Sequence, residues 1–137
     1  MRLIWKGVVT LVTLFYGIVP AIADMNETHL LNEGWSAHAR VHGAWFLFFG
    51  AGMALVSLYL LWLRDEMVLP IVIGLLYVAG FFAAFLTAPL YGGALVDPNG
   101  VAVRILGIES NLFLFSVAGA VLIAALVKAP RAPGNEP

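Results

Sequence analysis

Four apolar runs, at about 3–23, 40–63, 67–88 and 104–127, are separated by short polar breaks, and no other feature restricts the chain as severely. A helix needs roughly 20 consecutive apolar residues to span a bilayer, where backbone N–H and C=O groups must be satisfied within the segment itself. Each run meets that length. With 62% hydrophobic and 11% charged residues, the chain also lies outside the range of soluble globular domains. The expected fold is all-α: an integral membrane four-helix bundle with a polar outer cap. It forms one domain over residues 1–128 in contact with the lipid bilayer, followed by a disordered cytoplasmic tail at 129–137.

A formal charge of −1 with no long basic run leaves no electrostatic footprint for nucleic acid. The absence of cysteine removes disulfides, thiolate metal sites and thiol nucleophiles. No phosphate-binding loop is present, which argues against a primary transporter. The first run admits two readings. Arg2 and Lys6 precede it and Ala21-Ile22-Ala23 closes it, as in a cleavable signal peptide, yet residues 3–23 are long enough to remain as a spanning helix, and this second reading is adopted.

Basic residues favour the cytoplasmic side. Arg2, Lys6, Arg64, Lys128 and Arg131 flank one side of the four spans, and Arg40 and Arg104 the other, so both termini are expected in the cytoplasm, of a bacterial inner membrane or a eukaryotic endomembrane. Connectors 24–39 and 89–103 then form an outer cap. The Arg64-Asp65-Glu66 connector is so short that spans two and three must be antiparallel neighbours. Asp24 followed by Glu27 has the capping-box spacing, which predicts a short interfacial helix reaching Asn32 and stopping at Gly34, with Ser36 capping the second span. Asp97-Pro98-Asn99-Gly100 is a type I turn signal and predicts a small hairpin between GGALV and VAVRIL. Gly80, Ala84 and Ala88, with Gly50 and Ala54, read as small-residue faces for close helix packing.

All three histidines, His29, His38 and His42, fall within residues 26–45. His38 and His42 are four apart and share a helix face, with side chains about 5–6 Å apart at Cβ. Trp45 and Phe49 continue that face, and Arg40 points away from it. The fourth span is expected to begin near Arg104 and to carry Glu109 and Asn111 one to two turns inside its outer end. Glu109 is then the only carboxylate in a span, and an ionisable group there is by default a functional candidate. Capping, turn formation and solvation account for Asp24, Glu27, Glu33 and Asp97.

Three classes of function follow. In the first, the outer halves of the helices enclose a pocket for a lipophilic small molecule. His38 or His42 exchanges a proton with it, Glu109 is the opposing acid or base, and His29, Asn32, Trp35, Trp45, Asn111 and Phe113 contribute to binding. No cofactor is implied. In the second, His38 and His42 bind a metal with His29 or Glu33 as a third ligand. Haem is disfavoured, because two histidines on one helical face cannot ligate a single iron from opposite sides. In the third, the cap or the small-residue faces contact a membrane partner or a second copy of the chain.

The string Thr28-His29, Asn32, Trp35, His38-Ala39-Arg40 and His42 resembles the signature of a family of small four-helix membrane proteins of bacteria and fungi whose activity is not established. That likeness covers about fifteen residues tightly and the four-span layout loosely. Glu33-Gly34 and Ser36-Ala37 stand where that pattern commonly has prolines. In architecture alone the layout is similar to the sterol isomerase and sigma-2-type membrane proteins, which implies a lipophilic ligand but transfers no residue.

Overall fold

The computed structural model describes residues 1–97 and 100–129, so Pro98 and Asn99 of the expected turn and residues 130–137 of the expected tail lie outside the described residues. Four helices, each long and apolar enough to cross a membrane, account for most of the chain: α1 (Arg2–Ala23), α2 (Ala37–Leu63), α3 (Val68–Leu90) and α4 (Ser110–Lys128).

Local chemistry explains the helix starts. Ser36 Oγ accepts the Ala39 N–H at 3.2 Å, as expected of an N-cap, and α2 therefore begins a turn before residue 40. Glu66 Oε1 accepts from Val68 N at 2.7 Å and Leu69 N at 3.2 Å at the head of α3. The fourth helix begins at Ser110 instead of near Arg104, because residues 104–109 turn back on themselves. Strand β1 (Arg104–Ile105) pairs antiparallel with β2 (Ile108–Glu109), Arg104 opposite Glu109 and Ile105 opposite Ile108. Leu106 and Gly107, at φ 52° and 83°, make the tight left-handed connection whose twist matches a two-residue hairpin. This hairpin follows the Asp97-to-Gly100 segment, where Gly100 N donates to Asp97 O at 2.8 Å, as the expected turn requires, and the two residues between lie outside the described ones.

The predicted interfacial helix after Asp24 does not form, and residues 25–35 are a run of turns and bends. Asn26 is the cause. Its Oδ1 accepts from Thr28 N at 2.9 Å and from Thr28 Oγ1 at 2.8 Å, and its Nδ2 donates to Ala23 O at 2.8 Å. Such local bonds offer the backbone an alternative to helix.

Within α1 the backbone widens to a π-helix over Leu14–Ile18. Pro20 supplies no N–H to the carbonyl of residue 16 and its ring crowds that carbonyl, so the preceding turn opens. Helix α1 packs against the other three. At its closest approach to α2, a Cβ added to Gly17 would fall 2.3 Å from Ala54 Cβ and 2.9 Å from Gly50 O. Tyr16 is buried here beside Ser57, its hydroxyl 3.3 Å from Ser57 Oγ. Helices α3 and α4 meet through Gly74 against Leu122 and Gly119 against Val78. The core is apolar from Val9 and Leu61 to Ile71, Leu122 and Ala125.

At the pole opposite the cap, the 64–66 connector is more than a turn. Lys6 and Arg2 both pair with Asp65, Arg2 Nη2 at 2.8 Å from Asp65 Oδ2. The Lys6 ammonium lies 5.4 Å from the centre of the Trp62 ring, and Trp62 Nε1 donates to Thr10 Oγ1 at 2.9 Å. The start of α1 is thereby clasped to the end of α2.

Candidate functional site

Two cavities meet at the cap pole. The larger, about 840 Å³, runs between all four helices and is walled by aromatic rings. Phe81 stacks on Phe115 at 4.1 Å between centroids, Phe15 lies 5.2 Å from Phe115, and Tyr77 packs between Tyr16 and Phe46 at 4.8 and 5.5 Å. Pro20 and Ala23 of α1 and Gly80 and Ala84 of α3 complete the wall where small residues leave space. A Cβ built on Gly80 meets nothing within 4 Å. Gly80 and Ala84, read from sequence as helix-packing residues, therefore line an opening, whereas Gly50 does pack closely, against Tyr77. The smaller cavity, about 520 Å³, lies under the cap and is polar, with Thr28, Trp35, Asp97, Glu109 and Ser110 in its lining. His29 and Asn111 line both cavities.

His29 is oriented by its neighbours. Asn26 Oδ1 has two lone pairs, occupied by the Thr28 N–H and O–H. The Thr28 oxygen then accepts from His29 Nδ1 at 2.9 Å, with Asn26 Oδ1 a further 3.2 Å contact, so the proton belongs on Nδ1. Nε2 keeps its lone pair and sits 3.9 Å from Asp24 Oδ1. Burial pushes the Asp24 carboxyl above the usual carboxylate range, and the charge of a protonated His29 pulls it the other way. Asp24 also ends α1, where a negative charge opposes the helix dipole. A carboxyl and an imidazole thus stand side by side at the mouth of an apolar cavity.

The other expected site residues divide into two groups. Glu109, Asn111, Trp35 and His29 come together around the polar cavity. Glu109 is not inside a span: it is the N-cap of α4, its Oε2 accepting from Leu112 N at 2.9 Å and its Oε1 from Ser110 Oγ and Asn111 Nδ2 at 3.2 Å each. Those bonds hold the carboxyl group in a fixed orientation. Asn32 is buried and braces the two connectors, donating to Asp97 Oδ2 at 2.8 Å and accepting from Gly34 N at 2.9 Å. Trp35 rests on Gly43, where an added Cβ would approach its ring to 3.1 Å.

His38, His42, Trp45 and Phe113 line neither cavity. Both histidines and Trp45 are exposed, and their Nε2 atoms face each other at 3.1 Å across the surface of α2. The cavity wall on α2 is the stripe Phe46, Phe49 and Met53, which starts one turn after His42. Phe113 is two residues from Phe115, about 200° around the axis, and turns away from the wall. Among the described residues no group of three His, Cys, Asp or Glu side chains gathers as a metal site, so the third ligand expected from His29 or Glu33 is not in place. Asp24 was read from sequence only as a capping residue, whereas it ends α1, and Asn26 was not singled out. The adjoining Thr28-His29 pair was the legible sign of them.

The family model for a family of unknown function, DUF6640, matches residues 8–110. The chain belongs to that family. The matched segment takes in most of α1, all of α2 and α3, both connectors of the cap and the first residue of α4. It therefore contains Asp24, His29 and Glu109. No curated protein and no solved structure matches the chain.

Proposed function

We propose that this chain is a multi-pass integral membrane protein that binds a lipophilic small molecule in the aromatic-walled cavity, with the ligand's polar group against Asp24 and His29. Both termini are cytoplasmic and the cap is extracytoplasmic, in keeping with the distribution of basic residues. The outward faces of the helices carry large apolar side chains such as Phe48, Leu55 and Leu86, each more than half exposed, which suits contact with lipid.

One observation carries the reading: an apolar cavity of about 840 Å³ whose carboxyl and imidazole groups, Asp24 and His29, belong to the cap pole. Small-molecule sites are of this size and kind, largely apolar with a few convergent polar groups. The adjoining polar cavity, reached past His29 and Asn111, accommodates a hydrophilic end, so an amphiphile fits better than a pure hydrocarbon. Chemically, Asp24 in its neutral form donates a proton to a basic atom of the ligand, and His29 Nε2 accepts one. Proton transfer on the bound molecule, as in an isomerisation, is the reaction type this pair serves. His29 and Asp24 thereby take the role that sequence alone assigned to His38, His42 and Glu109.

Native mass spectrometry of protein purified in mild detergent tests the reading. An added mass on the order of a few hundred daltons is expected on the wild type, as for a drug-sized ligand. Gly80→Leu fills the cavity and should remove it. A bare wild-type chain, or an adduct that survives Gly80→Leu unchanged, overturns the reading.

A further inference from the structure

The His38–His42 pair stands apart from both cavities, and its geometry is that of a chelate. Ser36 caps α2, so residues 37–42 are held as regular helix and the two side chains project from successive turns of one face. Their Nε2 atoms converge to 3.1 Å, and their rings lie 4.6 Å apart at 79°. Two imidazole nitrogens bound to one ion at about 2.0–2.1 Å are separated by roughly 2.9 Å at a right angle and roughly 3.3 Å at the tetrahedral angle. The observed spacing falls between these limits. Both rings are exposed, and among the described residues neither makes a hydrogen bond to any other group.

We propose that His38 and His42 form a two-histidine site for a divalent transition-metal ion of the Cu(II) or Zn(II) class, independent of the lipophilic cavity. In the metal-free pair one Nε2–H is shared with the other Nε2. On binding, that ring passes its hydrogen to Nδ1 through solvent, and both Nε2 lone pairs go to the ion with no net loss of a proton. With no third His, Cys, Asp or Glu at hand among the described residues, the remaining positions belong to water or to an exogenous ligand, and the site is a labile one. Affinity for such nitrogen sites rises toward Cu(II), which also prefers the near-right angle. The Trp45 ring, 6.0 Å from that of His42, is a built-in reporter, because bound Cu(II) quenches indole emission at this range.

The test is titration of the untagged full chain in detergent with Cu(II) alone, read by tryptophan fluorescence and by calorimetry. The expected result is saturable quenching with one ion per chain, weakened at least tenfold by His38→Ala and by His42→Ala. Trp45→Phe should remove most of the quenching while leaving the calorimetric binding unchanged. Three results overturn the proposal: titration of both histidine variants as wild type, loss of binding with His29→Ala alone, or absence of saturable binding.

Discussion

Asp24 ends a helix, is half-buried and faces an imidazole, and its raised pKa has a consequence for stability with a definite sign. In the unfolded chain the carboxyl ionises in the ordinary range, while in the folded protein it stays protonated to higher pH. Stability is therefore lost as pH rises from the unfolded value toward the folded one, and the loss is constant above it. Asp24→Asn should raise the thermal midpoint at neutral pH slightly, since the group is partly solvated. That advantage should vanish below the ordinary carboxylate range. A difference independent of pH would mean that the carboxyl is not perturbed. Asp65 has the opposite sign: hydrogen bonding to the Lys6 ammonium is the main cause that holds its carboxyl below the usual range, and the Arg2 guanidinium adds to it. Its contribution is present above the ordinary carboxylate value and is lost as pH falls through the lowered one. Asp65→Asn should flatten the acid limb of a stability–pH profile.

At the scale of the helices, glycines in apparently similar settings separate by what faces them. Gly17 lies on Ala54 and the Gly50 carbonyl, so Gly17→Ala should destabilise the bundle by about 1–3 kcal/mol through overpacking. Gly80→Ala should not destabilise and should gain up to about 1 kcal/mol, because its Cβ enters open space and alanine is the better helix former. Thermal melts of the two variants in one detergent check the contrast, and equal effects would contradict the packing described. The π-helical turn ahead of Pro20 belongs to the same region, and Phe15, Val19, Pro20 and Ala23 around it form the α1 wall of the larger cavity.

For the whole molecule, the decisive property is which pole faces which compartment. The chain has no cysteine, so single cysteines report topology directly. In intact cells Glu33→Cys should react with a membrane-impermeant maleimide, and Arg64→Cys should react only after permeabilisation. The reverse pattern would invert the bundle and place Asp24 and His29 in the cytoplasm. Clasping of α1 to the far end of α2 through Lys6, Arg2 and Asp65 leaves the cap pole as the end where the helices part around a cavity.

Hydropathy and chain length determined the four apolar helices, because backbone satisfaction in an apolar medium depends on local sequence alone. The short 64–66 connector, the Ser36 cap and the polar character of one pole were legible for the same reason: each depends on residues only a few positions apart. Tertiary structure decided the rest. Whether Gly80 meets a neighbour or a void, whether Phe113 or Phe115 faces inward, and which histidine reaches the cavity all depend on rotations and crossings of helices distant in sequence. The apolar periodicity of helices that are hydrophobic all round does not encode them. Glu109 shows the boundary between the two: its place at the polar pole was visible in the chain, but the hairpin turning at Leu106 and Gly107 made it the cap of α4 and left the pairing with His29 to Asp24.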